Sequence, residues 1–420
     1  MKKFIHNIII KIFAVLFRLR KNFKKSKNTI CVLTEEFYHE DLRGFGGYGR
    51  TIKYLTEYFN KGKEFNFKVF LTYPLSAKRL EVKRYHNADV LIMRKSKDNF
   101  VLRSVEMIKK IHSWGVDLFL SVDFFGTYTY PLRQSPLIPL IVWNKDPRSK
   151  EEWARIYTLA LEVQVMKKKS LLDFFQIADD QKFLLQELMK ESLKSGRKII
   201  FVSEADFIFK RARKLYGLPE EQVKILRKVV ELPIFSYPSF SSRPSFLFLG
   251  RLDPIKRPWI YFELAKKFPG YDFFVGGETH FPEVMDRIIS QYNHLKNLHF
   301  LGRIGQKKKN EILGEVWGLI NTSIHEALPV TFVEALSHGK LSISSQEYDE
   351  DLRDFGFSAG EILGEGLGED SLNKFAVFIE RLVSMKNDLP ELGLRGREFV
   401  EQNFTFDRYA KTLSEITRSL

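Results

Sequence analysis

Four residues on two separate stretches combine the charge types that a phosphorylated sugar needs. Glu326 and Glu334 stand eight positions apart in HEALPVTFVEALSHGK, residues 325–340. Upstream, FLFLGRLDPIKRP carries an apolar strand, Phe246 to Gly250, into a loop with Arg251 and Lys256, and Pro258 then pre-sets φ for a helix start. Guanidinium and ammonium groups hold phosphate oxygens, whereas carboxylates accept from neutral hydroxyls. A nucleotide-sugar, with an anionic diphosphate and sugar hydroxyls, satisfies both pairs.

A second signal is GFGGYGR at residues 44–50, where Gly44, Gly46 and Gly49 satisfy G-x-G-x-x-G between a strand and a helix. A nicotinamide-binding unit also needs an acid roughly 20 positions on to hold the ribose hydroxyls. This chain offers Val69 to Tyr73 there, with no acid. Metal chemistry finds no ligand pattern, because no His, Cys or carboxylate cluster has suitable spacing. The single cysteine, Cys31, sits in the apolar run TICVL and is expected inside the first strand. Asp349 to Asp351, in YDEDLRD, reads as solvated acid, and His325 as a residue lining the site.

The Arg251, Lys256, Glu326 and Glu334 set resembles the donor site of the retaining family-4 glycosyltransferases of the GT-B fold, which carries a strand, Gly-Arg, a downstream Lys and a Glu-x7-Glu pair. The family usually has glycines directly after the first Glu, where this chain has Ala327, Leu328 and Pro329. The spacing survives. The resemblance follows element order along nearly the whole chain and is specific from about 199 to 404. It implies an α/β chain with two Rossmann-like parallel-sheet domains facing a cleft and a C-terminal helix crossing back to the first. It also implies metal-independent transfer of a sugar with retention of configuration. Negative charge then builds on the leaving diphosphate, and Arg251 and Lys256 stabilise it, each charged hydrogen bond contributing about 1.5 to 3 kcal/mol. Backbone around Leu328, Pro329, Val330 and Thr331 adds the start of the helix carrying Glu334. Glu334 accepts the ribose hydroxyls, and Glu326 orients the transferred sugar. Gly46 and Gly47 belong to the glycine loop through which side-chain-free backbone approaches the diphosphate. Many members end a first-domain strand with a His-Asp pair, where this chain has VWNKDPRS. Lys145 stands at the His position, leaving Asp146 or Arg148 to orient acceptor or donor, with Asp123 in SVDFFG a similar candidate. No Asp-x-Asp motif of the GT-A kind accompanies them, and neither metal nor cofactor is expected.

The elements that must position these residues read as alternating strands and helices, the pattern of parallel sheets with crossover helices. Strands are expected at 29–33, 67–72, 90–93, 118–122, 137–143 and 198–202, then at 245–249, 272–275, 298–301, 318–321 and 341–344. A Pro- and Ser-rich stretch, LPIFSYPSFSSRPS at 232–245, marks the interdomain linker. The boundaries are 28–235 for an acceptor-side domain, 236–393 for a donor domain and 394–420 for the returning helix. The length of 420 residues suits two domains of roughly 100 to 200 residues each. A hydrophobic content of 44% excludes a largely disordered chain. The stretch 150–195 reads as a charged helical insertion.

Residues 2–27 hold nine cations and no acid, leaving about +6 of the net +15 for the rest. The apolar run IIIKIFAVLF is interrupted by Lys11 and is far short of the roughly 20 residues a spanning helix needs. It leads into RLRKNFKKSK rather than a small-residue cleavage site, against a secretory signal. Phe4, Ile8, Ile12, Val15 and Leu19 recur at helical spacing, which fits an interfacial helix on an anionic membrane at the cytoplasmic face. A helix docked on the protein's own surface is the other reading. Nucleic acid is not an expected partner, since the charge is terminal and no aromatic-interleaved basic motif accompanies it. Three further activities share these residues: hydrolysis using Glu326 and Glu334, sugar-nucleotide epimerisation, and a non-catalytic donor-binding scaffold.

Overall fold

The computed structural model describes residues 28–39, 41–42, 47–62, 64–75, 81–94, 100–160, 170–218, 223–234 and 237–420. The basic segment 1–27, Gly44 and Gly46 lie outside the described residues. The chain divides into two compact units.

The first unit is built on strands β1 (Asn28–Thr34), β2 (Phe65–Leu75), β3 (Glu81–Tyr85), β4 (Ala88–Arg94), β5 (Leu118–Val122), β6 (Leu140–Asn144), β7 (Ile199–Ser203) and β8 (Val223–Ile225). They pair in the order β3-β4-β2-β1-β5-β6-β7-β8. Every residue of β5 and β6 is buried, as strands covered on both faces must be, and both are apolar apart from Ser121 and Asn144. Only β3 is antiparallel. It joins β4 through His86 and Asn87, whose φ values of 46° and 63° make the two-residue turn that matches strand twist.

The second unit carries β9 (Ser245–Leu249), β10 (Asp272–Gly276), β11 (Leu298–Gly302), β12 (Gly318–Asn321), β13 (Leu341–Ser344) and β14 (Gly356–Ser358), all parallel, in the order β11-β10-β9-β12-β13-β14. The chain winds outward from β9 to β11 and then crosses to the other side of β9. Neighbouring loops therefore diverge beyond the carboxyl ends of β9 and β12, which is where open α/β sheets bind ligands. The aromatic excess fills this core: Tyr261 packs on Phe273 and Phe248, and its hydroxyl donates to the carbonyls of Phe246 and Phe274.

Three short strands escape the apolar-run reading, namely β3, β8 and β14. β3 is EVKRY, polar and exposed as sheet edges tend to be. The segment Arg148–Gln176 belongs to the second unit, whereas the sequence boundaries put it in the first. It starts a helix, Lys150–Tyr157, with a Ser149–Glu152 capping box, and is tied at Arg155 to Glu361 (2.8 Å) and at the Thr158 hydroxyl, which accepts from the Gly364 N–H (3.0 Å). The return to the first unit begins at Ala410 rather than 394. Residues before it stay with the second unit, where Arg397 donates to the Ser337 carbonyl (2.6 Å). Beyond Ala410, Ser419 accepts from Lys198 and Lys224, and the Ser414 hydroxyl donates to Glu64. Asp349 is buried at the head of the turn Glu350–Phe355, which corrects its reading as solvated acid; Asp351 is exposed.

Gly277, just past β10, faces the carbonyl of Gly250; a Cβ at 277 stands 1.8 Å from that oxygen. The substitution Gly277→Ala forces apart the loops that follow β9 and β10, with an expected loss on the order of 3 kcal/mol. Gly270→Ala, where a Cβ meets nothing within 4 Å, is the control and stays within about 0.5 kcal/mol. Urea unfolding midpoints of the two variants check this.

Candidate functional site

β9 ends at Leu249, and Gly250 and Arg251 follow at its carboxyl end. Asp253 then caps a short turn, Pro254–Lys256, by accepting from the Lys256 N–H (3.1 Å), and its other oxygen holds Arg251 at 3.2 Å. Arg251 is half exposed, so its guanidinium is steered but open to an anion. The chain leaves the turn at Arg257 with φ of 46°, a left-handed corner costing about 1 to 3 kcal/mol for a residue with a side chain.

That corner is held by Arg257 itself. Its guanidinium is fully buried and donates to the carbonyls of Thr322 (2.8 Å), Ile362 (2.7 Å) and Gly364 (3.0 Å) and to the Ser345 hydroxyl (3.4 Å). Burial lowers its pKa to about 9. In return the Thr322 hydroxyl donates to the carbonyls of Lys256 and Arg257, and Ile324 N–H donates to the Ile255 carbonyl (2.9 Å). The loops after β9 and β12 are thus one braced piece, which brings Lys256 onto Glu326.

Lys256 Nζ lies 2.5 Å from Glu326 Oε1, which also accepts from the Ser323 hydroxyl (2.6 Å) and Asn321 Nδ2 (3.1 Å). Burial pushes the Glu326 carboxyl up, but the Lys256 charge and these hydrogen bonds prevail and hold it below its ordinary value. Pro329 stands at the N-cap of the helix Val330–Ser337 and its carbonyl accepts from the Phe332 N–H (3.2 Å), while the N–H groups ahead of Phe332 have no acceptor within the helix. Leu328 is buried at this entrance, and Pro329, Val330 and Thr331 are half-buried around it. Glu334 is buried one turn on, where Lys309 from the helix Gln306–Glu315 pairs with its Oε1. His325 is buried within the loop.

The structure therefore gathers Lys256 and Glu326 in direct contact, with Arg251 on the same β9 loop and Glu334 on the helix that follows Glu326. It adds Asp253, Arg257, Asn321, Ser323 and Lys309, which the sequence reading did not assign. For Lys309 a signal existed: it precedes Ile312 and Leu313 by three and four positions, and so lies on the buried face of its helix.

In the first unit, Gly47 opens the helix Gly47–Phe59. Asp123, with φ of 53°, is buried after β5, and burial pushes its pKa up to about 6. One of its oxygens accepts from the N–H groups of Lys145 (2.6 Å) and Asp146 (3.1 Å), and the other from the Tyr48 hydroxyl and Asp146. Lys145 is buried as well; it pairs with the buried Glu204 (2.6 Å), which also holds Lys228 (2.7 Å). Asp123 and Lys145 thus tie the ends of the strands to the first turns of the Gly47–Phe59 helix, Lys145 reaching Thr51 at 3.3 Å. Arg148 belongs to the second unit and lies over the Trp153 ring, 5.0 Å from its centroid. Among the described residues, no group of three or more His, Cys, Asp or Glu side chains has a metal-holding arrangement.

Residues 231–349, which contain Arg251, Lys256, Glu326 and Glu334, match the family model of glycosyl transferases group 1. No curated protein matches the chain in a sequence search. Among solved structures, the sucrose-phosphate synthase of Thermosynechococcus elongatus is 14% identical with a TM-score of 0.67, covering 93% of this chain and 98% of its own. HepE of Anabaena, in complex with UDP and glucose, is 12% identical with a TM-score of 0.64, covering 93% and 99%. WaaG, a glycosyltransferase involved in lipopolysaccharide biosynthesis, is 12% identical with a TM-score of 0.54, covering 92% and 98%. The fold is GT-B, and the resemblance to its group 1 glycosyltransferases is shown.

Two outcomes follow from the braced loops. Arg257→Ala strands three carbonyls and should cost on the order of 4 kcal/mol; Arg257→Lys should not rescue it, because one ammonium cannot span the fork. Glu326 has a folded pKa below its ordinary 4.5, so its contribution to stability is present above that value and is lost as pH falls through the folded pKa. The stability gap between the native chain and Glu326→Gln should accordingly be flat near neutrality and shrink below pH 4.5 in urea titrations.

Proposed function

We propose that this chain, with its GT-B fold and group 1 donor segment, transfers a sugar from a nucleotide-sugar to an acceptor hydroxyl with retention of configuration, in the manner of family 4 and without a metal. The observation that carries the reading is the Lys256–Glu326 contact beside a half-exposed Arg251, placed at the ligand-binding edge of the second sheet. The bond between the anomeric carbon and the diphosphate breaks, and its electron pair leaves on the diphosphate oxygen. The acceptor oxygen bonds to the same face of that carbon, and its proton passes to the leaving oxygen. Arg251 and Lys256 stabilise the charge that builds there, with the first-turn N–H groups of the helix Val330–Ser337 adding to it.

Glu334 accepts the ribose hydroxyls. Glu326 orients the sugar, and its lowered pKa speaks against the general-acid role that hydrolysis demands of one carboxyl, which needs a raised value. The UDP and glucose bound to HepE of Anabaena support a nucleotide-sugar as the donor class. The acceptor is a glycan or a lipid-linked molecule in cell-surface polysaccharide or glycolipid synthesis. Lipid-linked acceptors suit a protein whose residues 2–27 hold nine cations with apolar residues at helical spacing. Among the described residues no helix is long and apolar enough to cross a membrane. Asp146 or Arg148 then serves the acceptor side.

UDP, GDP or ADP, alone or as sugar conjugates, should raise the thermal midpoint selectively for one base, and Arg251→Ala with Lys256→Ala should abolish the shift. Glu326→Gln should lose turnover while keeping most nucleotide binding. No shift from any nucleotide, or unchanged turnover in Glu326→Gln, contradicts the assignment. Removal of residues 1–27 should release the protein from anionic vesicles, and retention there removes the membrane from its partners.

A further inference from the structure

Lys309 is placed against two physical preferences. It lies in a run of three lysines at the start of the helix Gln306–Glu315, where the dipole favours anions and no acidic residue is present in the first turn. It is also buried, with 6% of its side chain exposed, against a Glu334 side chain that is 8% exposed. Burying such a pair costs desolvation that mutual attraction repays only when the remaining lone pairs are satisfied. They are not: Glu334 Oε1 accepts from Lys309, while Oε2 is buried with no hydrogen-bond partner. The nearby Ser337 hydroxyl and His338 ring bond to the Glu334 backbone carbonyl and leave the carboxylate alone.

A carboxylate with one oxygen fixed by an ammonium and the other unsatisfied keeps lone pairs for a donor that reaches it. The complementary ligand is a pair of adjacent hydroxyl donors. We infer that Lys309 is a positioning residue for the donor's ribose: by holding Oε1 it points Oε2 of Glu334 at the 2′,3′-diol and makes the site select ribonucleoside diphosphates over their deoxy forms. The inference rests on the donor reading above and adds to it a residue that touches the carboxylate rather than the nucleotide.

The test is titration calorimetry of the full chain with UDP, GDP and ADP and with their 2′,3′-dideoxy counterparts. The native chain should bind the ribose form of its preferred base at least about tenfold more tightly than the dideoxy form, as expected for hydrogen bonds to a charged acceptor. Lys309→Met should erase most of that ratio by weakening the ribose form alone, and Lys309→Arg should restore part of it. Lys309→Met combined with Glu334→Gln removes both charges, guarding against misfolding, and should match Glu334→Gln alone. A ratio unchanged in Lys309→Met overturns the inference, as do equal losses for both forms or a further loss on top of Glu334→Gln. In those cases nucleotide binding by the native chain still stands. Failure of the native chain to bind any nucleoside diphosphate overturns the donor reading itself.

Discussion

One buried guanidinium sets the geometry of the second unit's site. Arg257 sits at a left-handed corner and reaches carbonyls on the loops after β12 and β14 as well as a hydroxyl after β13. None of these acceptors is a carboxylate, so the charge is solvated by backbone dipoles, and burial lowers its pKa accordingly. The constraint is geometric: a planar fork fits only one arrangement of those loops. With the loops fixed, Lys256 and Glu326 must meet, although 70 positions separate them in the chain.

Three buried or half-buried Lys–Glu contacts recur at strand ends and helix starts: Lys256 with Glu326, Lys309 with Glu334, and Lys145 with Glu204, the last joined by Lys228. Such pairs are weak evidence for stability, since desolvation offsets much of their attraction. Their common feature is position. The first two lie at the carboxyl edge of the second sheet, the edge at which open α/β sheets bind ligands, and the third braces the helix Gly47–Phe59 in the first unit. The Lys145 cluster is internally complete, with Asp123 also engaged on both oxygens. It therefore reads as a scaffold for the glycine-led helix.

Much of the second unit was legible in the sequence, because β9, β10 and β12 are short, mostly apolar strands and Arg251, Lys256 and Glu326 follow β9 and β12 at loop positions. The Arg251, Lys256, Glu326 and Glu334 set was also visible there, and the structure brings Lys256 and Glu326 of that set into contact. Arg257 was not legible: a charged residue between Lys256 and Pro258 looks like a solvated loop cation, and only the carbonyls of Ile362 and Gly364, more than a hundred positions on, reveal its burial. A separation of 206 positions hid the membership of Arg148–Gln176, whose ties to Glu361 and Gly364 leave no local pattern. Edge strand β3 was missed because its alternation is polar on both faces.

On the proposed reading, one loop pair and one helix of the second unit hold a nucleoside diphosphate. Crystals of the full chain soaked with the diphosphate that binds it test this most directly. Phosphate oxygens are expected against Arg251 and Lys256, with ribose hydroxyls on Glu334 Oε2. Density for the nucleotide elsewhere, with those three side chains untouched, would contradict it.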